Sequence, residues 1–163
     1  MFNKVDNHML YHVKKRDICL GAIAKSLKAQ GTFFCSTVGD EHMRELHEIV
    51  RDFDARIEMP YMNITAGFHL ENAAPQLYPY FAQIERMDQE NDLIVDDVEA
   101  VYAYACSYPG NAACILEQRG EEFREKIREK MEKEGALFIH KSTGMFRCRE
   151  VRRDKTAGTA NPV

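Results

Sequence analysis

The sequence contains no glycines in a G-x-G arrangement, although nine of its 163 residues are glycine. This absence excludes a glycine-rich dinucleotide fingerprint, and no phosphate-binding P-loop motif is present either. No apolar run approaches the roughly 18 residues that a membrane-spanning helix needs, and residues 1–16 do not resemble a secretory signal. We therefore expect no membrane partner, and we predict a cytoplasmic location.

Closely spaced cysteines are also missing. The chain has five cysteines, an odd number, and none forms a C-x-x-C pair. A disulfide framework or a zinc knuckle would be expected to show close pairs, so the spacing argues against both. Free thiols in a reducing compartment are the expected state of Cys19, Cys35, Cys106, Cys114 and Cys148.

The sequence also lacks an excess of positive charge. The formal net charge is -4, with 29% charged and 45% hydrophobic residues. This balance is typical of one globular domain and argues against nucleic acid or an anionic membrane as partner. A basic cluster near the end of the chain is interrupted by acidic residues and carries no aromatic ladder. We predict a solvated, mobile tail over residues 150–163.

The first 53 residues show alternating strand and helix patterns. Residues 5–13 are strand-like, residues 17–27 have helical spacing, and residues 32–38 form an apolar, β-favouring run that predicts a buried parallel strand. Asp40 is expected to cap a helix over residues 41–53. This order predicts an α/β fold.

The rest of the chain is less regular. We predict a short helix over 67–77, a strand over 81–87 and a short partner strand for it over 92–95. Asp96 and Glu99 have the offset of a capping box for the next helix, and residues 121–133 form a charged helix with a narrow apolar stripe. Residues 136–148 predict either a hairpin or a kinked strand, with a glycine turn at 142–144.

Polar residues are densest where the first strand ends. Open α/β sheets bind ligands beyond the carboxyl ends of their strands, so Asn7, His8, Tyr11 and His12 could line a crevice there. On a helix, His8 and His12 would share one face and could bind a metal, but no third ligand stands at a recognisable spacing. The alternative is a set of packed or surface polar residues.

Three further histidines are candidates. His42 lies at a predicted helix start, and His47 lies within that helix, where we expect it to face water. His69 lies with Glu71 in the irregular segment 55–80, where loop residues often serve binding.

The run from Asn7 to Val50, NHMLYHVKKRDICLGAIAKSLKAQGTFFCSTVGDEHMRELHEIV, resembles the C-terminal half of class I S-adenosylmethionine-dependent methyltransferases. In that family a strand ends in a pattern like Asn-x-x-x-x-His-Val and is followed by a helix and a second strand. Residues 28–31 stand where the family often has Lys-Pro-Gly-Gly.

The resemblance implies that residues 1–149 form the C-terminal part of a Rossmann-like methyltransferase sheet. That sheet would be mixed parallel and antiparallel, have flanking helices and lack the family's first three strands. Residues 55–80 would be a substrate-side insertion, and residues 136–149 would supply the closing strand.

The resemblance also implies roles for single residues. Asn7, His8 and Met9 would edge the methionine portion of S-adenosylmethionine. Tyr11 and His12 would lie towards a small-molecule methyl acceptor, with His12 as the base where one is needed. The substrate-side cover would contain His42, His69 and Glu71. Because no third ligand accompanies His8 and His12, we predict no metal.

The family's glycine-rich cofactor loop has no counterpart in this chain. An incomplete parallel sheet exposes an edge, which is a site for pairing with another chain. A truncated reading frame, a homodimer that covers the edge, and a half supplied by another chain all remain open. The alternative function is a non-catalytic dimeric α/β module that kept the fold and lost cofactor binding.

Overall fold

A computed structural model describes residues 3–59 and 65–153. Its strands are β1 (Lys4–Asn7), β2 (Phe33–Val38), β3 (Phe81–Glu90), β4 (Leu93–Val95), β5 (Leu137–Ile139) and β6 (Ser142–Val151). Its helices are α1 (Arg16–Ser26), α2 (Arg44–Phe53), α3 (Ala73–Leu77), α4 (Val98–Cys106), α5 (Ala112–Gln118) and α6 (Gly120–Glu134).

Four strands form the main sheet, in the order β1-β2-β6-β3. β1 and β2 are parallel, and β6 pairs antiparallel with both β2 and β3. Helix α1 connects the parallel pair, as parallel strands require a crossover. The prediction of an α/β fold with a mixed sheet and flanking helices is therefore confirmed.

The first strand is shorter than predicted. β1 ends at Asn7 because His8 has a φ of 55°, which L-residues rarely adopt inside a strand. A 3-10 turn then covers Leu10–His12. Since His8 and His12 do not share an α-helix, the helical spacing that suggested a metal pair is wrong.

The segment after residue 136 forms two separate strands, β5 and β6, that do not pair with each other, so the hairpin alternative is wrong. β5 pairs with β4 in a separate two-stranded sheet, whereas β6 belongs to the main sheet. Gly144 lies inside β6, opposite Thr37 and Asp88, and makes no turn. A side chain at Gly144 would place its Cβ 2.8 Å from the carbonyl oxygen of Met87, so the close strand packing requires glycine.

Two hydrophobic cores hold these elements together. The first lies against the main sheet, where the rings of Phe33 and Phe81 stack at 5.8 Å between centroids. The second joins α2, α4, α5 and α6 to β5 through buried residues such as Leu46, Leu116 and Phe123. Full burial of each large side chain contributes about 1.5–3 kcal/mol to stability.

Several predicted boundaries need correction. Asp40 does not cap a helix: α2 begins at Arg44 after Met43, which has a φ of 58°. The helix predicted over 67–77 is confined to α3, and α5 was not predicted. β4 pairs with β5 and not with β3.

The cap of α4 and the buried face of α6 both follow from residues within or next to each helix. The carboxylate of Asp97, not that of Asp96, caps α4 by accepting hydrogen bonds from the N–H groups of Glu99 and Ala100. The charged helix α6 is confirmed, and its narrow stripe of Phe123, Ile127 and Met131 is buried.

The described chain begins and ends close to strands of the main sheet. β1 is an edge strand of the main sheet, with Val5 74% exposed. β6 continues to Val151, two residues into the predicted tail, of which residues 154–163 lie outside the described residues. Within the described ranges, every helix is too short or too polar to cross a bilayer.

Candidate functional site

Polar side chains meet where the two parallel strands end. Asn7 lies opposite Ser36 in the register of β1 and β2. The Ser36 hydroxyl donates a hydrogen bond to Oδ1 of Asn7 at 2.6 Å, and the His8 N–H donates to Ser36 Oγ at 3.2 Å. These bonds fix the conformation of the strand ends and leave the Asn7 amide group exposed.

Asp6 and His8 are both partly buried beside this corner. Burial raises the pKa of Asp6, and this effect exceeds the opposing effects of the Met9 and Leu10 N–H groups and of His8. Burial lowers the pKa of His8, while the charge of Asp6 opposes that shift. Oδ2 of Asp6 is buried and has no hydrogen-bond partner among the described residues.

The predicted residues after His8 spread outward from the sheet. The His8 and Tyr11 ring centroids are 6.4 Å apart, and those of Tyr11 and His12 are 4.5 Å apart. His12 is exposed, and Met9 is 55% exposed. Tyr11 therefore lies next to both histidines, while the predicted base His12 lies on the outside.

A second polar cluster follows β2. Nδ1 of His69 lies 2.9 Å from Oδ1 of Asp40 and 2.9 Å from Oε2 of Glu71. The Asp40 N–H donates to the same Glu71 oxygen at 3.2 Å. The segment around His69 reaches this position because the Leu70 N–H donates to the Val38 carbonyl at the end of β2.

Glu71 is held ionised in this cluster. Burial raises its pKa, but the bonds from His69 and from backbone N–H groups, together with the charge of Arg86, lower the pKa overall. Arg86 lies 3.6 Å from Glu71 and also pairs with Asp88.

The atoms of Asp40, His69 and Glu71 all lie within 4.8 Å of one another, which is close enough for three metal ligands. They already satisfy one another as hydrogen-bond partners, with Arg86 beside them. This cluster is therefore accounted for as a structural ion-pair network.

His42 and His47 border two adjoining cavities. One, of about 250 Å³, is lined by Val38, Gly39, Asp40, His42, His47, Thr65 and Ala66. The other, of about 170 Å³, is lined by His42, Met43, His47, Tyr104, Ser107, Tyr108 and Pro109. The first cavity begins at the carboxyl end of β2, and the second extends to the end of α4.

Both histidines have lowered pKa values. Burial is the main cause of the lowering of the His42 pKa to about 4; Lys141 and, when protonated, His47 and His8 add to it, whereas a hydrogen bond with the Ser142 backbone opposes it. Burial also lowers the pKa of His47, whose ring lies 5.7 Å from that of Tyr108. His47, which was expected to face water, is half-buried and lines both cavities.

A larger but shallow depression lies elsewhere on the surface. It measures about 670 Å³ and follows the acidic face of α6, lined by Phe53, Glu121, Glu122, Glu125, Lys126 and Glu129. Its lining comes almost entirely from one helix face whose charges pair along the helix, so it lacks convergent polar groups.

The structure thus brings the predicted residues into two groups. Asn7 and His8 share a corner with Ser36, and His8 acts electrostatically on His42. His69 and Glu71 join Asp40. Sequence reasoning missed the contributions of Ser36 and Asp40 to the site, and the available signal was their position at or just beyond the end of a predicted strand.

Comparison with known proteins adds no family assignment. No protein-family model matches the chain, and no curated protein matches it.

Proposed function

We propose that the chain forms the acceptor-side half of an S-adenosylmethionine-dependent methyltransferase and contributes to methyl transfer to a small molecule. The observation that carries the proposal is the pair of cavities beyond the carboxyl end of a parallel strand pair, next to the polar corner of Asn7 and His8. Ligands of open α/β sheets bind at this edge. The insertion of β6 between β2 and β3 agrees with the closing strand that the family resemblance implies.

The residues present fit one end of S-adenosylmethionine. The Asn7 side chain uses its oxygen to bind Ser36, so its NH₂ group points to no partner in the described chain and can donate to a ligand carboxylate. The exposed Met9 offers an apolar contact beside it. When bound, S-adenosylmethionine supplies an electrophilic methyl group. The protein residues orient its amino-acid end and hold the acceptor in the cavities, and such positioning supplies a large part of the rate.

Calorimetric titration of the purified chain with S-adenosylmethionine tests the proposal. We expect saturable binding that Asn7→Ala weakens about tenfold, since a hydrogen bond to a charged group contributes about 1.5 kcal/mol. Asn3→Ala is the matched control, because Asn3 is an exposed asparagine just before the other end of the same strand. Absence of binding at millimolar ligand, or equal weakening by both variants, would overturn the proposal for this chain.

A second function is favoured by the exposed edge of β1. The chain would then be a non-catalytic α/β module in which β1 edges pair in a homodimer, since an open edge is a template for strand pairing. In either function we propose a dimer, and light scattering at micromolar concentration should give twice the monomer mass. Val5→Lys, a charge placed on the edge strand, should shift the dimer towards monomer. A monomeric mass for the unaltered chain would contradict this proposal.

The five cysteines are all free. This supports our proposal of a reducing, cytoplasmic location, since thiols in oxidising compartments tend to pair.

A further inference from the structure

Arg16, the first residue of α1, carries a partly buried charge without a carboxylate partner. Burial lowers the pKa of its guanidinium, and no acidic side chain within the described ranges pairs with it. Arginine side chains are mostly exposed unless a partner compensates their charge. The neutral groups that Arg16 contacts therefore indicate what this charge is used for.

The guanidinium of Arg16 bridges two segments that are distant in sequence. Its Nε–H group donates to the carbonyl oxygen of Leu10 at 2.9 Å, in the 3-10 turn after β1. Its Nη1 group donates to Oε1 of Gln76 at 3.1 Å, in α3. Arginine can make both bonds at once because its N–H groups point in fixed, different directions.

Packing around the guanidinium fixes it in this position. Its central carbon lies 5.6 Å from the centroid of the buried Phe68 ring, within the range of a cation–π contact. A Cβ atom on Gly67 would approach Nη2 of Arg16 to 2.8 Å, so glycine at this position leaves the space that the guanidinium occupies. These contacts hold the segment 67–76 against the 3-10 turn.

Gln76 extends the bridge to the second polar cluster. Its Nε2 group donates to Oδ1 of Asn72 at 3.2 Å, and the same oxygen accepts a hydrogen bond from the His69 N–H at 2.9 Å. The His69 ring in turn lies 2.9 Å from both Asp40 and Glu71. A continuous chain of hydrogen bonds thus runs from the turn after β1 to this cluster.

We propose that Arg16 is a positioning residue that holds the 3-10 turn bearing Tyr11 in a fixed place relative to the segment bearing His69. Arg16 then sets the geometry between the donor side and the acceptor side of the proposed methyl transfer, and this biological meaning rests on that function. The positioning itself needs no ligand, so it can be measured on the chain alone.

Amide hydrogen exchange in the unliganded chain, followed by NMR, tests the proposal. The reporters are the Val13 N–H, which donates to the Leu10 carbonyl at 3.1 Å, and the His69 N–H. Arg16→Met keeps a long side chain but removes its donors. We expect about tenfold faster exchange at both reporters, which corresponds to a loss of about 1.4 kcal/mol in the free energy of local opening. The N–H groups of α6, in the other hydrophobic core, should keep their rates.

Two changes at Gln76 distinguish a bridge from local packing. Gln76→Leu removes the acceptor of the Nη1 group and should speed exchange of the Val13 N–H about threefold. This effect must pass through Arg16, because the described residues include no hydrogen bond from Gln76 to the turn. Gln76→Glu keeps an acceptor for Arg16 and should leave the Val13 rate unchanged. Gln118→Leu, at an exposed glutamine of α5, is the matched control and should leave it unchanged as well.

Several results would overturn the inference. One is exchange of the Val13 N–H at the rate of an unprotected amide in the unaltered chain, a measurement that stands even where a variant fails to fold. Others are a Val13 rate that Arg16→Met leaves unchanged, acceleration confined to one reporter, or acceleration in α6 as large as that at the reporters. Equal acceleration by Gln76→Leu and Gln76→Glu would also count against the bridge.

The outcomes separate this inference from the proposed function. No ligand is present in the exchange experiment, so its failure leaves the binding of S-adenosylmethionine untouched. A chain that shows the expected exchange rates but does not bind S-adenosylmethionine keeps Arg16 as a positioning residue and overturns methyl transfer.

Discussion

Replacement of His42 by Gln should make the protein less sensitive to acid. In the folded protein, burial is the main factor that lowers the pKa of His42 from 6.5 to about 4, and nearby positive groups act in the same direction. Those groups are Lys141 before β6, His47 on α2 and His8 after β1. Gln keeps a neutral polar side chain at this position but does not titrate.

The direction of the effect follows from proton binding. Between pH 6.5 and about 4, the unfolded chain holds a proton on His42 that the folded chain does not, so the free energy of unfolding falls as the pH falls. The stabilising contribution is fully present above pH 6.5 and is lost as the pH approaches 4. A pKa difference of this size corresponds to about 3 kcal/mol, and partial solvent exposure reduces the expected value to about 2 kcal/mol.

Urea denaturation at pH 7 and at pH 4 measures this contribution. Carboxyl groups titrate in both proteins, so the informative quantity is the loss of stability in the unaltered protein minus the loss in His42→Gln. We expect the variant to lose about 2 kcal/mol less, and His12→Gln, at an exposed histidine, to behave like the unaltered protein. Equal losses in the unaltered protein and in His42→Gln would refute the burial of this imidazole.

Two further predictions concern backbone geometry. Asp97→Ala removes the cap of α4 and should cost about 1 kcal/mol, lowering the melting temperature by about 2–4 °C, whereas Asp96→Ala should leave it nearly unchanged. If Asp96→Ala costs as much, the position of the cap is wrong. Gly144→Ala should cost about 1–3 kcal/mol, because its Cβ meets backbone at 2.8 Å. At Gly21, inside α1, an added Cβ would meet its neighbours at ordinary contact distances. Gly21→Ala should therefore raise the free energy of unfolding by about 0.5–1 kcal/mol in the same thermal assay. Stabilisation by Gly144→Ala would contradict the strand packing.

Local patterns predicted some of the regular elements well. The spacing of Phe123, Ile127 and Met131 identifies the buried face of α6 because a helix repeats every 3.6 residues. The apolar run 32–38 identifies β2, an inner strand of the sheet in which four of the six residues are buried. In both cases the information lies within a few residues of the element itself.

Pairing between distant segments was not predictable in this way. β4 was expected to pair with β3, its neighbour in sequence, but pairs with β5, more than 40 residues later. Propensity specifies that a strand forms, whereas its partner is specified by which apolar faces meet in the folded chain.

In the candidate site, too, the features that depend on nearby residues were predicted and those that depend on distant segments were not. Asn7 and His8 could be placed at a strand end from sequence, because that strand and the helix after it leave local patterns. His47 was expected to face water, yet it lies beside Tyr108, which the chain reaches only after α4. The contact of Asp40 with His69 likewise joins residues 29 positions apart and depends on the turn after β2.

The position of β6 has a consequence for synthesis on the ribosome. β2 and β3 are made first, but neither contacts the other in the main sheet, because β6 lies between them. Until residues 142–151 leave the ribosome, both strands present unpaired inner edges, and the Phe33–Phe81 stack lacks the strand that aligns it. A nascent chain that lacks residues 142–151 cannot complete the main sheet during the synthesis of α4, α5 and α6, and strand edges left open invite aggregation. A premature stop codon before residue 142 would make that aggregation-prone state permanent, even though most of the core residues would already have been made.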